Sequence, residues 1–128
     1  MAGVVECLTR ISDANIPIGL ATSSSHEVIE TVLQTTGVSQ WFDVTNSALD
    51  EENGKPDPAV YLSCCGKLSV RPEHCLAIED TCTGMMAALN ANMQVVVVPT
   101  EADRNNECFS KAHKMLHSLT AFRLADFG

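Results

Sequence analysis

Seven side chains suited to phosphate and metal chemistry lie in three short segments of this 128-residue chain. The hydroxyl-rich segment Thr22-Ser23-Ser24-Ser25 ends an apolar run, and hydroxyls with backbone N–H groups at a helix start form a site for anions. Lys55 stands between a glycine and a proline, which restrict its backbone, and its charge suits a phosphate. The acidic pair Glu79-Asp80 ends another apolar run, where carboxylates are costly unless a cation or a donor partners them.

The acidic pair indicates a site for Mg²⁺. This ion takes one or two carboxylates and fills its other octahedral positions with water and phosphate oxygens. We therefore expect Glu79 and Asp80 to bind Mg²⁺, and Thr22 to Ser24, together with Lys55, to bind phosphate. Each segment also has an ordinary alternative: the hydroxyls cap a helix, the lysine is an exposed loop residue, and the carboxylates cap the helix that follows.

Apolar periodicity predicts helices that alternate with strands, which is typical of an α/β fold with a parallel sheet. Ser24, Asp57 and Thr83 are the predicted helix N-caps. Ligands of open parallel sheets bind beyond the carboxyl ends of the strands, and the three segments fall at such ends. The predicted strands are Ile16–Thr22, Phe42–Thr45, Cys75–Ile78, Val95–Val98 and, more weakly, Met115-Leu116.

Composition excludes several classes of protein. The chain has 16 Asp and Glu against 8 Lys and Arg, a formal net charge of −8, so it lacks the basic patch that binds nucleic acid or an anionic membrane. Its 45% of hydrophobic residues can bury a core, and its length suits one domain over residues 1–128. No apolar run approaches the ~20 residues of a membrane span, and no signal-peptide pattern begins the chain, so we expect a cytoplasmic protein.

The six cysteines favour free thiols over a disulfide or a zinc site. The chain has no Cys-x-x-Cys pair, and Cys64 and Cys65 are adjacent, which suits neither a bridge between them nor a zinc knuckle. We expect buried free thiols in a reducing compartment.

In their order and separation, these segments resemble the second, third and fourth motifs of the haloacid-dehalogenase-like (HAD) hydrolases. The resemblance runs from about Gly3 to Gly128 and is greatest to the phosphoglucomutase-type sugar-phosphatase branch, especially the hexose-6-phosphate (2-deoxyglucose-6-phosphate) phosphatases. The matching segments are Leu20-Ala21-Thr22-Ser23-Ser24, Gly54-Lys55-Pro56-Asp57-Pro58 with Tyr61, and Ala77-Ile78-Glu79-Asp80-Thr81 with Gly84.

The resemblance implies a Rossmann-like three-layer α/β/α core that hydrolyses a phosphomonoester, a sugar phosphate, with Mg²⁺. It implies that Thr22 hydrogen-bonds the transferred phosphoryl group and that Lys55 neutralises it. Glu79 and Asp80 would position Mg²⁺ and Lys55. A small phosphorylated metabolite is the implied partner.

The family's first motif, Asp-x-Asp-Gly, does not occur in this sequence. That motif supplies the nucleophilic aspartate and the general acid, and the helical cap domain of the family is missing as well. The sequence therefore resembles a HAD-like core truncated at its N-terminus. Two readings stay open beside a phosphatase core: a non-catalytic phosphate- and Mg²⁺-binding module, and a fragment of a larger phosphatase.

The missing motif also bears on the sheet. In the family its strand lies between the strands that correspond to Ile16–Thr22 and Cys75–Ile78, so two strand edges lose their partner here. Unpaired edges recruit partners. We predict that these two strands pair directly in a compact four-stranded core, with a homodimer through the exposed edge as the other way to cover them.

Overall fold

The computed structural model describes residues 3–127, in which helices and parallel strands alternate as predicted for an α/β fold. Met1, Ala2 and Gly128 lie outside the described residues. None of the described helices combines the length and the apolar character that crossing a bilayer requires. The helices and strands are α1 (Val4–Asp13), β1 (Gly19–Thr22), α2 (His26–Thr36), β2 (Val44–Ser47), α3 (Ala59–Leu68), β3 (Leu76–Glu79), α4 (Cys82–Asn90), β4 (Gln94–Val97) and β5 (Lys114–Met115).

The strands form two separate parallel sheets. β1 pairs with β2, with Thr22 opposite Ser47, and β4 pairs with β3 on one side and with β5 on the other. The prediction that the strand ending at Thr22 pairs directly with the strand beginning at Cys75 is wrong for the described residues. Lys55 occupies the space between the carboxyl ends of β1 and β3, and its ammonium group contacts both Ala21 and Glu79. Self-association through the open edges of β1 and β3 stays a prediction.

Helices cover both faces of the two sheets, which gives the expected three layers. On one face, α3 packs against β1 and β2, and α4 packs against β3 and β4, around a core that includes Val60, Met85 and Val95. On the other face, Leu8 of α1 packs with α2 residues, whereas Cys7 of α1 packs with residues of β4. Because α1 contributes to both apolar clusters, it joins the two sheets.

Two predicted helix N-caps are displaced by local hydrogen bonding. The cap of α2 is Ser25, whose Oγ accepts from the Val28 N–H, and not Ser24, whose backbone N–H is used in a turn with Thr22. The cap of α4 is Thr81, not Thr83, because the Thr81 Oγ1 accepts from the Gly84 N–H at 3.1 Å.

The observed start of α3 and end of α4 agree more closely with the positions predicted from the sequence. Pro58 occupies the N-cap position of α3, and Asp57 satisfies the Ala59 N–H through its Oδ1 at 3.0 Å. Beyond α4, Asn92 adopts the predicted left-handed conformation, with a φ of 64°.

The cysteines differ in part from the expectation of free thiols. Cys82 forms a disulfide with Cys108, which joins the first residue of α4 to the 3₁₀ turn Glu107–Lys111 across a Cα–Cα distance of 6.2 Å. The prediction of free thiols is wrong for these two residues, because the fold brings them together across a sequence separation of 26. The free cysteines of the described residues are Cys7, Cys64, Cys65 and Cys75, of which the first three are buried.

Candidate functional site

The carboxyl ends of β1 and β3 bring two of the three chemical segments to one place, and Lys55 from the loop after β2 lies between them. The Lys55 Nζ is 2.7 Å from the Glu79 Oε2 and 3.4 Å from the Ala21 carbonyl oxygen. Only 11% of the Lys55 side chain and 7% of the Glu79 side chain are exposed. The two opposite charges therefore form a buried ion pair across the gap between the sheets.

Two further residues hold the Glu79 carboxylate. The Tyr61 hydroxyl donates a hydrogen bond to the same Oε2, and the Lys55 Nζ lies 5.2 Å from the centroid of the Tyr61 ring, within the range of a cation–π contact. The other carboxylate oxygen packs against Gly84 in the first turn of α4, where an added Cβ would overlap it. Glu79 is thus enclosed by the groups that satisfy it.

Burial and the neighbouring negative charge of Glu79 raise the pKa of Tyr61 well above its ordinary value near 10. The neutral hydroxyl is the form that donates to the carboxylate. Tyr61 therefore stays a hydrogen-bond donor to Glu79 throughout the neutral range.

The hydroxyl segment forms a tight turn between β1 and α2. The Thr22 Oγ1 accepts from the Ser24 N–H at 3.1 Å, and the Ser24 carbonyl accepts from the Ser47 hydroxyl at 2.6 Å. Ser23 is exposed at the tip, and Ser25 caps the helix. The turn therefore places hydroxyl groups next to the positive end of an eleven-residue helix.

The predicted acidic pair is divided between two environments. Glu79 is buried and bound to Lys55 and Tyr61, whereas Asp80 is exposed and has no hydrogen-bond or ion-pair partner within residues 3–127. No cluster of three or more His, Cys, Asp or Glu suited to a metal occurs in that range. Asp80 therefore offers an open carboxylate to Mg²⁺, an ion that completes its shell with water and phosphate oxygens.

Two further contacts involve residues outside the three predicted segments. Ser47 is fully buried at the end of β2 and supports the turn through Ser24; it was missed because the predicted strand ends at Thr45, two residues earlier. Asp50 lies in the loop after β2 and pairs with His26 at the start of α2, with 2.5 Å between the His26 Nε2 and the Asp50 Oδ2. No spacing rule connects these two exposed residues.

Residues 1–98 match the family described as haloacid dehalogenase-like hydrolase, and the chain belongs to this family. Over 126 residues it is 36% identical to hexitol phosphatase B of Escherichia coli K12. This match covers 98% of this chain and 57% of the relative. It is 33% identical to validoxylamine A 7'-phosphate phosphatase of Streptomyces hygroscopicus subsp. limoneus, with 98% and 58% covered. The chain spans about half the length of these curated relatives.

Solved structures show the same fold and branch. β-Phosphoglucomutase from Clostridium difficile is 31% identical with a TM-score of 0.85, and the match covers 98% of this chain and 53% of that one. CbbY from Rhodobacter sphaeroides, solved with phosphate, is 28% identical with a TM-score of 0.87, covering 94% and 54%. The resemblance to the sugar-phosphatase and β-phosphoglucomutase branch of the HAD hydrolases is confirmed.

We predict that Gly84→Ala and Gly66→Ala change stability in opposite directions. Alanine favours helices over glycine by up to about 1 kcal/mol, and nothing lies within 4 Å of a Cβ at Gly66, so that variant should be more stable. At Gly84 the methyl group displaces the Glu79 carboxylate, so the free energy of unfolding should fall by about 1–3 kcal/mol. Urea denaturation measures both; equal effects would contradict the close packing of Glu79 on Gly84.

We predict that Tyr61, the single tyrosine of the chain, does not ionise in the folded protein near pH 10. Because the pKa of Tyr61 is raised in the folded chain, its protonated hydroxyl contributes its full stability below pH ~10, the pKa of tyrosine in the unfolded chain. This contribution is lost as the pH rises above that value. Tyrosinate absorbance should appear near pH 10 only in the urea-unfolded chain, with circular dichroism confirming that the untreated chain is folded. Ordinary titration in the folded chain would contradict the buried contact with Glu79.

Proposed function

We propose that this chain supplies the phosphate- and Mg²⁺-binding part of a HAD phosphatase that acts on sugar phosphates. The observation that carries the proposal is the position of the Lys55 ammonium group, held by Ala21 and Glu79 where β1 and β3 end. The names of relatives support the substrate class: one is a hexitol phosphatase, and another was solved with xylulose-(1,5)bisphosphate.

The lysine has one donor left for substrate. An ammonium group carries three N–H donors, and the Ala21 carbonyl and the Glu79 carboxylate take two of them. The third is free to donate to a phosphate oxygen, which Lys55 also attracts by charge. Glu79 in this proposal is a positioning residue that fixes the direction of the lysine.

The turn after β1 supplies neutral donors. Because the Thr22 Oγ1 accepts from the Ser24 N–H, its own hydrogen remains available for a phosphoryl oxygen. The hydroxyls of Ser23 and Ser24 and the N-terminus of α2 add to the attraction for an anion. Thr22, Ser23, Ser24 and Lys55 together form the proposed phosphate site.

Asp80 is the residue that would hold Mg²⁺, since it is exposed, unpaired among the described residues and adjacent to the lysine-bound Glu79. When bound, Mg²⁺ would neutralise phosphate oxygens as a Lewis acid. Glu79 has both carboxylate oxygens against protein groups, so its part in metal binding is to hold the neighbouring backbone and Lys55 in place.

A non-catalytic phosphate- and Mg²⁺-binding module is the second candidate for these 128 residues. The sequence holds no Asp-x-Asp, and covalent phosphoryl transfer in this family's manner needs a carboxylate that attacks phosphorus. Asp50, the first of three consecutive acidic residues that end at Glu52, is paired with His26. We also propose that the protein is cytoplasmic, that its partner is a small phosphorylated metabolite and that it forms a homodimer.

We predict that inorganic phosphate with Mg²⁺ shifts the NMR signals of Thr22, Ser23, Lys55 and Asp80 before others. Replacing Asp80→Asn should weaken Mg²⁺ binding, while Asp13→Asn at the exposed end of α1 should not. Scattered shifts, or none at millimolar ligand, would count against the site.

The lysine needs a variant that does not leave a buried carboxylate unpaired. We predict that Lys55→Met combined with Glu79→Gln weakens phosphate binding by about tenfold or more, as expected for one lost charge-assisted hydrogen bond. The exposed Lys67→Met is the matched control and should bind phosphate unchanged. Equal affinity of the double variant and the control would remove Lys55 from the site.

We predict that the 128-residue chain releases negligible inorganic phosphate from 2-deoxyglucose 6-phosphate with Mg²⁺, because it contains no aspartate of the first motif. Release should equal that of the Asp80→Asn variant. Robust turnover that disappears in Asp80→Asn would show that another carboxylate acts as the nucleophile, and the second candidate function would then be wrong.

A further inference from the structure

Two pairs of cysteines flank β3, one at each end of the strand. Cys82 lies three residues after the last residue of β3 and is bonded to Cys108. Cys75 lies directly before the strand, and its Sγ is 3.5 Å from the Sγ of Cys65 in α3. The first pair is a disulfide, whereas the second consists of free thiols in contact.

The thiol contact repeats, one helical turn away, the contact between Tyr61 and Glu79. Tyr61 and Cys65 are four residues apart on α3, so they share a face of the helix. Tyr61 contacts Glu79 and Cys65 contacts Cys75, and these two partners are also four residues apart along the strand segment. A bond between the sulfurs would therefore fasten α3 to β3 next to the hydrogen bond that positions Glu79.

The two thiols differ in access and in hydrogen bonding. The Cys65 thiol donates to the Cys75 sulfur and is 3% exposed, whereas the half-buried Cys75 donates to the Arg71 carbonyl at 3.3 Å. Burial, together with the contact with Cys75, raises the pKa of Cys65 to about 12. Cys75 is consequently the thiol that an oxidant from solvent meets first, and Cys65 keeps its proton until it reacts.

We propose that Cys65 and Cys75 are a redox modification site that a peroxide converts to a disulfide. Peroxide oxidises the Cys75 thiol to a sulfenic acid and is itself reduced to water. The Cys65 sulfur then attacks the Cys75 sulfur, and the sulfenic hydroxyl leaves with the Cys65 proton as a second water. The sulfurs must approach from 3.5 Å to the ~2.05 Å of a disulfide.

The test begins with the whole chain, fully reduced by dithiothreitol, freed of reductant and treated with hydrogen peroxide. Remaining thiols are alkylated after denaturation, and cleavage by trypsin after Lys67 and by Glu-C protease after Glu79 places Cys65, Cys75 and Cys82 on separate peptides. We expect a cross-linked peptide that has lost two hydrogen atoms. Cys64 shares the peptide of Cys65, so variants decide which sulfur reacts: the link should persist in Cys64→Ala and disappear in Cys65→Ala.

Re-formation of the Cys82–Cys108 disulfide in the same sample shows that the oxidant worked and that the chain refolded. If that disulfide forms while Cys65 and Cys75 are both alkylated, the proposal is overturned. A link to Cys75 that survives in Cys65→Ala overturns it too. Circular dichroism checks the fold of each variant, and Cys64→Ala, which leaves Cys65 as the one cysteine on its peptide, decides the question if Cys65→Ala does not fold.

Discussion

The buried ion pair of Lys55 and Glu79 is the interaction on which the arrangement of the site depends. Neither charge could be enclosed alone, because an unpaired buried charge costs several kcal/mol, whereas a paired one with further hydrogen bonds is tolerated. Tyr61 and the Ala21 carbonyl complete the pair, and Gly84 leaves room for it. The pair therefore constrains five segments of the chain at once: the end of β1, the loop before α3, α3 itself, the end of β3 and the start of α4.

The same ion pair also helps to hold the two sheets in a fixed position relative to each other. No backbone ladder joins β1 to β3 within residues 3–127, so the helices and this side-chain contact set their relative position. α1 contributes Cys7 to one apolar cluster and Leu8 to the other, and it spans the two sheets on the opposite face from α3. A polar contact at the strand ends and an apolar layer beneath them thus fix the distance between Thr22 and Asp80.

Local patterns predicted the components of the site better than their assembly. Thr22, Lys55 and Glu79 could be placed together because parallel strands present their carboxyl ends at one edge, a rule that needs no knowledge of pairing. Pairing itself depends on long-range competition, which is why the adjacency predicted for the strands ending at Thr22 and Ile78 failed. The different environments of Glu79 and Asp80 could not be predicted either, because they arise from which side of β3 faces α3 and α4. The metal role of these residues stays a prediction.

The disulfide of Cys82 and Cys108 has a consequence for the unfolded chain. It closes a covalent ring over a separation of 26 residues, and this ring contains the whole of β4, whose Val95, Val96 and Val97 are fully buried. Chain-entropy arguments assign about 3–4 kcal/mol to a closure of this length, through the conformations that it denies to the denatured ensemble. The central strand of the larger sheet thus remains inside a closed loop after its native contacts are lost, and it begins refolding from a smaller conformational space than the strands outside that loop.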